Sequence, residues 1–186
     1  MKKLTLTMIC AMLLSIVLTG VVQAQNQKTK TKAKSASASK ADNSPMPYTV
    51  TYSSKFEMGD PANSRLVMEM WKDFDDNAFE RHENMIADTA VIFLSDGEVI
   101  KGRDNMMTGV KTYRNSLADV KTDVHAVMSI RSVDRNENWV AIWGTENDTS
   151  KDGTKMSSNL HEIWLINKDG KVAVIRQFSS KTPPAQ

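Results

Sequence analysis

From Ala62 the chain alternates between apolar and polar positions at helical spacing. Ala62, Leu66, Val67, Met70, Trp71, Phe74 and Ala78 fall on one face. Asp60 followed by Pro61 supplies an N-cap and a first-turn proline, so the helix begins there. Asp73, Asp75 and Asp76 crowd its far end. The macrodipole disfavours acids at that end, which predicts a stop near Asp76. Asn77 can cap a short second helix carrying Phe79, His82, Met85 and Ile86. The period then changes. Thr89 to Leu94 reads as a strand, Ser95-Asp96-Gly97-Glu98 as a turn, and Val99-Ile100 as the returning strand. Gly102-Arg103-Asp104 opens another helix, with Met106, Met107, Val110, Tyr113 and Leu117 on its buried stripe. Four strands follow, about Lys121 to Asp134, Trp139 to Asp148, Met156 to Asn167 and Lys171 to Ser179. They are joined by hairpin turns at 134–138, 150–153 and 168–170. Helices first and an antiparallel meander last predict an α+β domain with three N-terminal helices and about six strands.

The start of the chain has a different character. Lys2 and Lys3 precede a mostly apolar run from Leu4 to Val22, and Val22-Gln23-Ala24 offers a cleavage site before Gln25. That is a signal-peptide pattern, broken by too many polar residues for a lasting membrane span. Residues 25–55 are rich in Lys, Ser, Thr and Ala and predict a disordered linker, with a short pre-strand at Tyr48 to Tyr52. The folded domain is expected over 56–180, and 181–186 as a frayed tail with Pro183 and Pro184. Export to the periplasm or the extracellular space follows.

Composition narrows the chemistry. Cys10 is the only cysteine and lies within the signal, leaving the mature chain without a thiol nucleophile, a disulfide or a cysteine metal ligand. Setting aside Lys2, Lys3 and the tail lysines 28, 30, 32, 34 and 40 leaves 17 basic against 21 acidic residues from Asn43 onward. The basic pI therefore belongs to signal and tail, and the domain itself gives no reason to expect nucleic acid. No metal-binding histidine spacing, Walker loop, dinucleotide fingerprint or nucleophile elbow is present, so no metal and no cofactor is expected.

Several short stretches match a known family in order and spacing. They are Trp71 to Asp76, Ile86-Ala87-Asp88-Thr89-Ala90-Val91, Gly97 with Gly102-Arg103, and Asn167-Lys168-Asp169-Gly170-Lys171-Val172 leading to Arg176. Together they resemble the nuclear transport factor 2-like (NTF2-like) superfamily, in particular its SnoaL-like, ketosteroid isomerase-like branch, over roughly Pro61 to Ser179. The resemblance implies a cone-shaped, curved antiparallel sheet around an apolar pocket closed by the helices. It also implies a homodimer formed through the sheet. Within that family ketosteroid isomerase needs a general base and an oxyanion-hole tyrosine. The matching positions here are Leu94 and Met70, which can do neither job. Its protonated oxyanion acid has a counterpart in Glu162.

Glu162 shares a strand face with Leu160, Trp164 and Ile166, so alternation turns it inward, where burial raises a carboxyl pKa. It is either a proton-transfer group or a structural one satisfied by Arg176 or a backbone group. His125 and His161 are the remaining acid–base candidates, although His161 has the opposite parity to Glu162. Met70, Trp71, Phe74, Leu94, Tyr113, Trp143 and Trp164 are the candidate pocket lining, aromatic and methionine side chains suiting a flat apolar ligand. The sequence points first to an exported domain that binds a small apolar or aromatic molecule. A cyclase-, dehydratase- or isomerase-type enzyme using Glu162 with a histidine is one alternative. A dimeric protein-interaction module is the other.

Overall fold

The computed structural model describes residues 46–182. The expected signal peptide, most of the expected linker and the last four residues lie outside the described residues. The elements are β1 (Phe56–Met58), α1 (Pro61–Asp76), β2 (Ile86–Phe93), β3 (Val99–Lys101), α2 (Arg103–Ser116), β4 (Leu117–Ser132), β5 (Glu137–Ser150), β6 (Lys155–Ile166) and β7 (Val172–Lys181). The strands form one sheet in the order β1-β4-β5-β6-β7-β2-β3. This is the expected α+β class, with three corrections.

The sheet has seven strands rather than six, because β1 pairs antiparallel with the edge of β4, Phe56 facing Ser132. The pre-strand expected at Tyr48 to Tyr52 is not a strand; the pairing segment comes a few residues later. The sheet is also mixed, since β2 runs parallel to β7. Nothing local signals that, because β2 and β7 are distant in sequence and meet only when the meander closes. The short second helix is two separate 3-10 turns, Phe79–Arg81 and Glu83–Met85, leaving two α-helices. β2 begins at Ile86, so too few residues remain after Asn77 for a stable α-helix.

α1 starts as its sequence predicts. The Asp60 carboxylate accepts from the Ala62 N–H at 2.8 Å, and Pro61 occupies the first turn. It ends at Asn77, whose φ of 54° is left-handed and whose N–H reaches back to the Asp73 and Phe74 carbonyls. The crowded acids there are individually partnered. Asp76 pairs with Lys72 and Arg81, Asp73 with His82 Nδ1 at 2.7 Å, and Asp75 accepts from the Thr122 hydroxyl at 2.7 Å. Arg114 from α2 donates to the Phe74 and Asp75 carbonyls, both at 2.8 Å. That buried guanidinium ties the end of one helix to the other.

α1 and α2 cover one face of the sheet. The core between them includes Val67, Trp71, Met106, Met107, Val140, Ile142, Trp164, Ile166, Val172 and Ile175. Among the described residues no helix is long and apolar enough to cross a membrane.

Candidate functional site

Strand alternation sorts the candidate residues between the two faces of the sheet. On β5 the helix-covered face carries Val140, Ile142, Gly144, Glu146 and Asp148; on β6 it carries Leu160, Glu162, Trp164 and Ile166. Ile142 faces Glu162, whereas Trp143 faces His161. Glu162 therefore lies under the helices, and Trp143 and His161 lie on the opposite face. His125 is close to Thr145 on that same opposite face, Nε2 to Oγ1 at 3.3 Å. Neither histidine shares a cavity with Glu162, and the expected Glu162–histidine pair is not assembled. The physical reason is the two-residue period, which separates neighbours on one strand.

Glu162 is buried and clasped by three donors. Trp71 Nε1 and Trp164 Nε1 donate to Oε2 at 2.7 and 2.9 Å, and Gln177 Nε2 donates to Oε1 at 2.9 Å. Burial pushes its pKa up, while those donors pull it down, and burial prevails. Arg176, one expected partner, sits instead over the Phe93 ring at 4.2 Å.

Of the seven expected pocket residues, Trp71 and Trp164 are buried in the core, and Met70, Phe74 and Leu94 are partly buried against it. Tyr113 is half-exposed, stacks on Phe74 at 6.1 Å and donates to Asp148 Oδ2 at 3.2 Å. Trp143 is on the far face, so the set does not line a single pocket.

Sequence reasoning missed a second carboxyl group of interest. Glu146 and Asp148 stand two positions apart on the helix-covered face of β5, close enough for each to shift the other's ionisation. Burial, then the neighbouring Asp148 and Glu162 charges, push Glu146 up to about 8. Burial also raises Asp148, opposed by the Tyr113 hydrogen bond, the neighbouring Glu146 and the Arg114 charge. Burial and the two acids raise the Tyr113 hydroxyl to about 12. Asp148 Oδ1 is buried without a hydrogen-bond partner among the described residues. The signal was available: both acids continue the inward parity of Val140 and Ile142.

The opposite face carries a depression of about 380 Å³ lined by His125, Trp143, Gly144, Asn159, Leu160 and His161. A second, of about 580 Å³, runs between α1 and β4 past Arg65, Met68, Trp71, Lys72, Thr122 and Val124. Both are open grooves, and neither is the closed apolar pocket expected inside a cone. Among the described residues no three His, Cys, Asp or Glu side chains converge as a metal-binding group.

No family sequence model matches the chain, and no curated protein matches it in sequence. Solved structures do match in fold. An LEH-like epoxide hydrolase of M. tuberculosis superposes with a TM-score of 0.55 at 12% identity, covering 64% of this chain and 84% of the other. A SnoaL-like protein of Shewanella denitrificans OS-217, assigned as a polyketide cyclase, gives 0.55 at 6% identity, covering 65% and 92%. An NTF2-like protein of unknown function from Burkholderia pseudomallei K96243 gives 0.52 at 14% identity, covering 63% and 90%. The fold is the NTF2-like fold of SnoaL-like proteins, as the sequence resemblance implied. Its holders span hydrolases, cyclases and proteins without a known role, so function must be argued from the site.

Proposed function

We propose that this is an exported NTF2-like domain that binds a small, largely apolar or aromatic molecule on the helix-covered side of its sheet. The Glu146–Asp148 pair carries this reading. A half-buried carboxyl group that keeps its proton at neutral pH is a neutral hydrogen-bond donor. Met70, Phe74, Leu94 and Leu160, partly buried on the same side, supply apolar surface. A few placed polar groups among apolar side chains are what fix a small ligand's orientation. Glu162 serves this reading as a structural anchor, since its oxygens already accept from Trp71, Trp164 and Gln177.

Titration of the domain with a neutral aromatic ketone, followed by tryptophan fluorescence, tests the proposal. Glu146→Gln keeps a neutral donor and should hold affinity within a few-fold. Glu146→Ala should weaken it by roughly tenfold, the worth of one buried hydrogen bond. Equal affinity in both variants would remove Glu146 from the site.

A second reading is supported by the buried Asp148 Oδ1, which has no hydrogen-bond partner among the described residues, beside the raised Glu146 carboxyl group. Two neighbouring carboxyl groups, both raised above their ordinary values, suit acid–base chemistry, as in a cyclase or dehydratase. The same variants separate the two readings. In an enzyme Glu146→Gln abolishes turnover even where binding persists, because an amide cannot release a proton.

A further inference from the structure

Met46 to Tyr52 alternates as a strand would, with Met46, Tyr48, Val50 and Tyr52 set against Pro47, Thr49 and Thr51. It nevertheless pairs with no strand among the described residues. Its apolar side chains stand in solvent: Met46 is 72% exposed, Tyr48 83%, Val50 47% and Tyr52 53%. Apolar residues exposed singly are ordinary, whereas four within seven positions form a patch. Phe56 and Met58 are not part of it. They face Ser132 and Ile130 across the β1–β4 pair and belong to the sheet.

One end of the patch is fixed to the domain. The Tyr52 hydroxyl donates to Glu137 Oε2 at 2.7 Å, and its ring stands edge-on to Trp139 at 6.4 Å. The Arg135 guanidinium lies over that ring, 4.1 Å from its centre. Ser53 Oγ donates to Asp134 Oδ1 at 2.6 Å, and the Val133 N–H donates to the Lys55 carbonyl at 2.8 Å. The two acids at this end, Asp134 and Glu137, are therefore already engaged.

The other end continues into lysines. Between Gln25 and Pro45 the sequence carries Lys28, Lys30, Lys32, Lys34 and Lys40 and one acid, Asp42. From Asn43 onward there are 17 basic and 21 acidic residues, so an anionic surface repels the domain as a whole and attracts the end that bears the lysines. Lysines beside exposed tyrosine and aliphatic side chains are the two components of interfacial lipid binding. The amines meet headgroup charge, and the apolar side chains enter the boundary between headgroups and acyl chains, a depth that tyrosine favours. A polyanion such as nucleic acid would use the lysines and leave the apolar residues in water. A second copy would cover the apolar residues but bring two sets of five lysines together. A bilayer uses both.

We propose that Met46 to Tyr52 is a docking surface for an anionic phospholipid bilayer, to which the preceding lysines draw the chain. The proposal takes the chain from Gln25 onward as the exported species, and it is independent of the ligand site under the helices, so either can fail alone.

Co-sedimentation of the chain from Gln25 onward with vesicles tests the surface, using phosphatidylcholine alone and equal parts of phosphatidylglycerol and phosphatidylcholine. Because the assay is made on that chain directly, its result does not depend on whether export occurs. Binding is expected to the mixed vesicles only, weakening as salt screens the headgroups. Tyr48→Ser combined with Val50→Ser leaves the charge unchanged and should weaken binding by roughly tenfold. Replacing the five lysines with Gln should weaken it by roughly a hundredfold or more, since each lysine near such a surface is worth about fivefold. An unchanged thermal midpoint in each variant verifies the fold. Equal binding to both kinds of vesicle would overturn the proposal. So would vesicle binding indifferent to Tyr48→Ser with Val50→Ser, which would leave the lysines acting alone. Sedimentation showing that Tyr48 and Val50 hold two copies together in solution would assign the patch to a second chain instead.

Discussion

The indole Nε1–H of Trp71 donates to Glu162 Oε2 at 2.7 Å, joining α1 to β6 through a buried carboxyl group. Trp164 and Gln177 complete the clasp, so every close partner is a donor and Glu162 is the common acceptor. Such a centre is worth most through what its removal leaves behind. Glu162→Ala strands two buried indole donors, each costing about 1–3 kcal/mol, and leaves the part-buried Gln177 amide without its acceptor. A loss of about 3 kcal/mol or more in urea unfolding is expected. Glu162→Gln keeps one acceptor oxygen and should cost clearly less. A Glu162→Ala loss below about 1 kcal/mol would show that the clasp is not structural.

Glu146 gives the domain a pH dependence of definite sign. Its ordinary value is 4.5 and its folded value about 8. Between those values the folded domain holds a proton that the unfolded chain has released. Stability therefore falls as pH rises through that window, and the contribution is intact below it. Asp148, also raised, adds to the same trend from its own ordinary value of 3.8 upward. Unfolding midpoints measured from pH 5 to 9 should decline, and Glu146→Gln should flatten the decline. A wild-type midpoint that rises across this range would contradict the assignment.

Gly144 marks where three elements meet. A Cβ built there would lie 2.5 Å from the Asp123 carbonyl oxygen and 3.2 Å from the Trp71 ring. The first contact is backbone and cannot swing aside; the second is the ring whose nitrogen binds Glu162. Gly144→Ala should cost about 1–3 kcal/mol, as overpacked sites do. It should also disturb the β4 bulge at His125, where Val124 faces Gly144 and Ala126 faces Trp143, visible as shifted β4 amide resonances. A variant as stable as the parent with unmoved β4 amides would mean the strands can separate without strain.

How far the chain could be read in advance follows from the range over which each signal acts. Asp60-Pro61 and the 62–78 stripe act within one helix, and α1 begins and ends as they indicate. Alternation acts within one strand, which is enough to turn Glu162 inward and to part it from His161. What holds Glu162 was not legible, because Trp71 and Gln177 come from other elements. The parallel β2–β7 pair and the bulge at His125 are likewise set by pairing across the sheet. Glu146 and Asp148 are a different case. Their inward parity is legible in the sequence, but their burial is not, because it depends on α2 and its Tyr113 and Arg114 closing over that end of β5.

Export is the remaining expectation that can be measured directly. Lys2 and Lys3 before the apolar run of 4–22, with Val22-Gln23-Ala24 before Gln25, form a processing pattern that acts before folding and independently of the domain. The five lysines of the following tail would then lie at the start of the mature chain, attached to a domain with more acidic than basic residues. Mass spectrometry of the protein recovered from envelope and medium fractions of an expressing bacterial host should find a chain beginning at Gln25. Replacing Leu13 and Leu14 with Arg should keep the protein at full length in the cytoplasm, because a charged centre cannot enter the translocation path as an apolar segment. Recovery of an uncleaved chain from the cytoplasm with the native sequence would remove the export proposal while leaving the ligand site proposed on the helix-covered face open to test.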